Sequence, residues 1–239
     1  MTNAMAPRIQ RAKERAFFDR GWLKTYHSFS FAEYFDPANQ HWGALRVLND
    51  DIVAPGSGFG THPHRDMEIL TYVLKGELAH RDSMGNAGIV RAGGVQYMSA
   101  GTGVTHSEEN PSMTEPLHLV QMWVLPRSEG LPPSYGQVEY TLEDRRNRWL
   151  PIATGESEVT SRIAIAQDAT AYVARLESSR LDRELGPGRF GFLFVADGRV
   201  RFDGEQLTRG DAVRLTGPTR IEVAGDAELI FWDVPGMEA

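Results

Sequence analysis

The chain has 239 residues, 41% of them hydrophobic and 24% charged, and carries a formal net charge of -7. That length and composition support a packed core in one or two domains. The acidic balance, with no long run of one sign, removes the electrostatic case for a nucleic-acid or membrane-surface partner. Cysteine is absent, which excludes disulfides, thiolate ligands, iron–sulfur clusters and cysteine nucleophiles, so any metal must bind through nitrogen and oxygen. No apolar stretch is long enough to span a bilayer and no apolar signal segment is recognisable, so a soluble, cytoplasmic protein is expected.

In chain order, the basic cluster Arg8, Arg11, Lys13 and Arg15 reads as a solvated lead-in. Beyond it, glycines and prolines are scattered between short segments rich in β-branched and aromatic residues, the punctuation of an all-β chain. Strands are predicted over Glu68 to Leu74, Val95 to Ser99, Leu117 to Leu125, Phe190 to Ala196 and Glu228 to Val234. They are bounded by turns at Lys75-Gly76, Gly93-Gly94 and Asp197-Gly198. Helical periodicity is scarce, with one short helix expected within Leu142 to Trp149.

Two stretches read as versions of one unit. Tyr72-Val73-Leu74-Lys75-Gly76-Glu77-Leu78 and Phe194-Val195-Ala196-Asp197-Gly198-Arg199-Val200 are each an apolar strand, a turn with glycine second, and another strand. Each leads to a glycine-containing segment, Ala92-Gly93-Gly94-Val95 and Arg209-Gly210-Asp211-Ala212-Val213. An internal duplication of a β-barrel follows, with expected domains at 1–130 and 131–239. All seven histidines precede residue 119, so only the first barrel can hold a histidine-bound ion.

The candidate ligands come in two pairs, His62-Pro63-His64 and His106-Ser107-Glu108. In an extended backbone residues i and i+2 share a face, so two neighbouring strands can aim three imidazoles and a carboxylate at one point. Glycine-containing approaches, Gly58-Phe59-Gly60 and Gly101-Thr102-Gly103, precede both pairs and are expected to turn tightly. Three imidazoles and one carboxylate leave two positions of an octahedron open, an arrangement for chemistry; structural zinc sites are usually closed. Among the other histidines, His80 is expected to bond Asp82, His118 to stand in the core or a pocket wall, and His27 and His41 to pack among aromatics. Phe59, Met67, Met98 and Trp123 are candidates for an apolar mouth.

These residues resemble the cupin superfamily. His62, His64 and Glu68 followed by Gly76 fit its first motif, and Gly103, His106 and Asn110 fit its second, with Gly101 where proline is usual. More narrowly, His62-Pro63-His64-Arg65, Glu68, Gly76, His80, Asp82-Ser83, the run Gln96 to Gly103, and His106-Ser107-Glu108 are similar to the pirin family. The resemblance implies an all-β bicupin, two double-stranded β-helix barrels with few short helices, the first binding metal and the second metal-free. It implies His62, His64 and His106 as ligands with Glu108 as the fourth; in cupins generally the fourth is the residue matching Glu68. One divalent ion is implied, iron(II) by preference, while nickel, copper, manganese, cobalt and zinc also accept this donor set. The implied activity is a quercetin 2,3-dioxygenase-like one, cleaving a phenolic, quercetin-like flavonol with O2, with Glu108 also a candidate catalytic base. The alternative it implies is an iron-containing, redox-sensing regulator that binds a protein partner.

Overall fold

Burial alternates along Leu23–His27 and Val104–Glu109 and is continuous along Val95–Ser99, the patterns of strands covered on one face and on both. The computed structural model describes residues 5–237. The strands are β1 (Arg8–Gln10), β2 (Ala16–Asp19), β3 (Leu23–His27), β4 (Leu45–Val53), β5 (Gly58–His64) and β6 (Glu68–Lys75). They continue as β7 (Glu77–Asp82), β8 (Ala87–Arg91), β9 (Val95–Ser99), β10 (Val104–Glu109), β11 (Leu117–Val124) and β12 (Ser134–Val138). The last are β13 (Leu150–Thr154), β14 (Thr170–Leu185), β15 (Arg189–Phe202), β16 (Glu205–Thr208), β17 (Ala212–Thr216) and β18 (Thr219–Pro235). The one α-helix among the described residues, α1 (Leu142–Arg145), is a single turn capped by Thr141, whose side chain accepts from the Asp144 amide.

The chain forms two units. The first comprises residues 16–40 and 46–140; the second takes the chain up to Arg15, the segment His41–Leu45 and everything from Thr141 onward. The first unit contains a four-stranded sheet, β5-β10-β7-β8, and a seven-stranded sheet, β12-β9-β6-β11-β4-β3-β2. Leu23, Val53, Val73, Leu78, Val90, Leu117 and Leu119 form one apolar cluster there, with Trp22 and Phe59 against it. The second unit is built on β1-β17-β15-β18-β14-β13, with β16 on β15. Its core includes Leu193, Val195, Val213, Val223, Leu229 and Phe231.

The duplication is visible in the backbone. In the first unit the Val73 amide donates to the Gly94 carbonyl (3.1 Å) and the Gly93 amide to the Val73 carbonyl (2.8 Å); in the second the Val195 amide donates to Asp211 (3.0 Å) and the Gly210 amide to Val195 (2.8 Å). Both units are cupin barrels of the double-stranded β-helix kind, the bicupin expected from the sequence.

Two local expectations give way. Asp197-Gly198 does not end a strand: β15 continues through an irregularity between Val195 and Asp197, because β18 offers it an unbroken partner. The basic lead-in is not solvated throughout. β1 pairs with β17, Arg11 reaches Glu205 at 2.7 Å and Asp211 at 3.3 Å, and Arg15 is buried with its guanidinium 4.9 Å from the centre of the Phe194 ring.

Candidate metal centre

β10 is the middle of the site, pairing with β5 on one side and β7 on the other. The register sets His106 opposite His62 and Val104 opposite His64, and, across the other edge, Glu108 opposite His80. Burial alternates along β10, with His106 and Glu108 buried and Thr105 and Glu109 exposed, so the period-two argument holds there. Between His106 and Glu108 the β5 side carries one extra residue, His62 pairing with His106 but Phe59 with Glu108.

Gly58-Phe59-Gly60 is strand, not turn. Gly58 is there because β5 and β10 approach closely: a Cβ at this position would stand 2.3 Å from the Glu108 carbonyl oxygen and 2.5 Å from the Glu109 Cα. The second approach does turn, with Gly101 and Gly103 at φ of 43° and 136° between β9 and β10.

Three of the four predicted ligands meet in one triplet, and the fourth, Glu108, meets His106 in a second triplet that adds His80. His62, His64 and His106 place one donor atom each within 4.8 Å of one another, and so do His80, His106 and Glu108. The ring centres of the first triplet lie 4.5 to 4.8 Å apart. His62 Nδ1 lies 2.7 Å from the Gly60 carbonyl; since a carbonyl only accepts, Nδ1 carries the proton, which leaves Nε2 as the nitrogen to ligate. That Nε2 faces His106 Nε2 at 3.1 Å. Metal–nitrogen bonds of about 2.0–2.1 Å set neighbouring octahedral ligands about 3 Å apart, so a shared divalent ion fits this spacing. Burial, and then the charge His62 would carry, push His64 down to about 4. Burial and the surrounding imidazoles push His106 to about 3. Both rings are therefore neutral, the ligating form, near neutral pH.

Glu108 is fully enclosed. Its carboxyl accepts from Gln96 Nε2 and, at 2.8 Å, from Gln121 Nε2, yet burial outweighs these donors and raises it to about 7. Gln121 in turn accepts from Trp123 Nε1 at 3.1 Å. His80 pairs with Asp82 at 3.1 Å as expected, and its ring stacks on Tyr135 with centres 4.4 Å apart. Glu68 stands outside both triplets; its buried carboxyl accepts from the Tyr97 hydroxyl at 2.9 Å. Asn110 is a structural pin, donating to the carbonyls of Val53, Ala54 and Glu115.

A cavity of about 470 Å³ opens beside the ligands, lined by His62, His64 and Glu108 together with Trp22, Phe59, Phe31 and Trp123. Of the residues expected at an apolar mouth, Phe59 and Trp123 are there, while Met67 and Met98 pack with Ile69 and Val104. His27, expected only to pack, lines the cavity, as do Thr25, Asn49, Asp51 and Gln121, which sequence reasoning missed. His118 is bonded to Asp50 at 2.6 Å, and His41 Nδ1 lies 3.0 Å from the Gly43 carbonyl.

Two cupin barrels, one bearing a histidine cluster beside an aromatic cavity, define a bicupin. Residues 9–124 match the pirin family and residues 160–234 match the quercetinase C-terminal cupin domain. Among relatives, the quercetin 2,3-dioxygenase of Escherichia coli K12 is 40% identical over 231 residues, covering 95% of this chain and 98% of that protein. A pirin-like protein of Caulobacter vibrioides is 42% identical over 218 residues, covering 90% and 94%. The crystal structure of YhhW from Escherichia coli superposes with a TM-score of 0.90 at 38% identity, covering 98% of this chain and 99% of that one. The nickel(II) complex of the same bacterial pirin gives 0.89, covering 97% and 100%. The chain belongs to the pirin family.

Proposed function

We propose that this protein is a metal-dependent dioxygenase that opens the ring of a quercetin-like flavonol with O2, using one divalent ion held by His62, His64, His106 and Glu108 in the first barrel, the second barrel being metal-free. The observation that carries this reading is a triplet of imidazoles, His62, His64 and His106, two of which stand with the buried carboxyl of Glu108 on the wall of a cavity within the range of about 300–1,000 Å³ usual for small-molecule sites. The names of the relatives and the nickel(II) complex of YhhW support it.

When bound, the ion supplies Lewis acidity toward an acidic hydroxyl of the substrate. The protein supplies the rest. Glu108, held by Gln96 and Gln121, takes the phenolic proton as general base when its carboxylate shifts off the ion. Trp22, Phe59, Phe31 and Trp123 give a flat guest aromatic walls and displace water from it. In the net reaction both atoms of O2 enter the opened product and one ring carbon leaves as carbon monoxide. Iron(II) suits this donor set, and nickel is the ion named for the relative.

A regulator that senses the redox state of iron and binds a protein partner is the competing use of the same ligands. It requires an exposed patch near the site, whereas the cavity favours a small guest. A cytoplasmic location belongs to the same proposal; among the described residues no helix is long and apolar enough to cross a membrane.

The test is anaerobic reconstitution with iron(II), nickel, copper, manganese, cobalt and zinc separately, followed by oxygen uptake and product analysis with quercetin. Uptake in step with quercetin loss for at least one metal, and none for His106→Ala, is the expected result. No turnover with any of the six sinks the enzymatic reading.

A further inference from the structure

The ligands account for only part of the cavity wall. Another part comes from the seven-stranded sheet, where β3 and β4 pair with Thr25 opposite Asp51 and His27 opposite Asn49. Spacing of two residues along both strands puts these four side chains on one face, and all four line the cavity. Each is only 3% exposed. A block of buried polar side chains on a strand pair is costly unless its polar atoms are satisfied. The side-chain oxygen of Asn49 is buried and has no hydrogen-bond partner among the described residues. Asp50, between Asn49 and Asp51 and pointing to the other face, pairs with His118 at 2.6 Å.

A train of edge-to-face contacts joins this patch to the ligands. His27 meets Phe31 with ring centres 5.2 Å apart, Phe31 meets Trp123 at 5.2 Å, and Trp123 meets His64 at 4.9 Å. Three successive ring contacts separate the patch from His64, so a guest that touches both ends is more than one ring long. The oxygens of Asn49 and Asp51 are acceptors and the Thr25 hydroxyl can accept as well, so the matching groups on the guest are hydroxyl donors.

We propose that Thr25, His27, Asn49 and Asp51 form a specificity subsite that binds the peripheral hydroxyls of a polyhydroxylated, multi-ring aromatic whose other end faces His62, His64, His106 and Glu108. This inference rests on the flavonol reading above and names what that site selects.

The experiment uses full-length protein loaded with zinc under nitrogen, so that binding is read apart from turnover. Two probes share the 3-hydroxy-4-keto edge: quercetin, with peripheral hydroxyls, and 3-hydroxyflavone, without them. Dissociation constants come from optical titration, and zinc content and thermal midpoint report folding of each variant. Asn49→Leu is expected to weaken quercetin about tenfold, the loss of one good hydrogen bond, and to leave 3-hydroxyflavone within about twofold. The isosteric Thr25→Val, which keeps the strand's packing, shifts quercetin in the same direction. If both variants weaken the two probes equally, or neither variant weakens quercetin, the subsite is overturned while the flavonol reading stands. If wild-type protein binds neither probe, both fall together.

Discussion

Replacing Gln121 by leucine tests whether the enclosed carboxyl of Glu108 is a ligand tuned by its neighbours. In the metal-free protein Glu108 is raised to about 7, so at pH 7 it is half ionised. Gln121 Nε2 donates to it at 2.8 Å; a donor to a carboxylate is worth about 1.5–3 kcal/mol, and losing about 1.4 kcal/mol moves the equilibrium about tenfold toward the acid form. The ionised fraction at pH 7 then drops to about one tenth, and apparent metal affinity weakens about fivefold from proton competition alone. Loss of orientation adds a pH-independent factor of about 10 to 100. Chelator competition with zinc or nickel, run from pH 6 to 9, separates the two. The proton-linked part must vanish toward pH 9 and the orienting part must persist. An affinity unchanged at every pH would mean that Glu108 does not touch the ion.

His106→Ala should abolish stoichiometric metal binding while circular dichroism and cooperative unfolding persist, since the neighbouring cluster of Leu23, Val73, Leu117 and their partners is wholly apolar; an unfolded variant would make the ion structural. Because His64 and His106 are held down at about 4 and 3, below pH 6.5 the unfolded chain takes up protons that the folded site refuses, so metal-free stability falls steadily toward pH 4. Denaturant titrations across that range read the slope, which His106→Ala reduces; a flat wild-type profile contradicts it. Gly58→Ala should drive β5 from β10, because its Cβ would fall 2.3 Å from the Glu108 carbonyl, and lower metal content more than a surface substitution such as Thr61→Ala. Phe231→Ala, fully buried in the second barrel's core, should cost about 3–5 kcal/mol by equilibrium unfolding; a loss below about 1 kcal/mol would mean that this core repacks freely.

The shared facing of His106 and Glu108 was legible because strand periodicity is two: along β10 both are buried while Thr105 and Glu109 are exposed. The duplication was legible because its glycines recur at matching backbone bonds, Gly93 and Gly210 each donating to a valine carbonyl. What stayed hidden depends on register between distant segments. Nothing local to Asn49 or Asp51 says that β3 will carry Thr25 and His27 onto the same face, so the polar patch reads as ordinary strand. His80 was read correctly as bonded to Asp82, but its place beside Glu108 follows from β7 pairing with β10. The Gly58 segment reads as a turn because glycine marks turns and close strand contacts alike, and only the facing strand distinguishes them.

The affiliation of β1 with the second unit means that a strand made before the first unit waits for its partner, β17, which emerges some 200 residues later. No single cut yields two intact halves. A fragment beginning at Thr141 would leave β17 with a raw edge, inviting intermolecular pairing, whereas a circular permutant that fuses β1 behind β18 could restore the sheet from contiguous sequence.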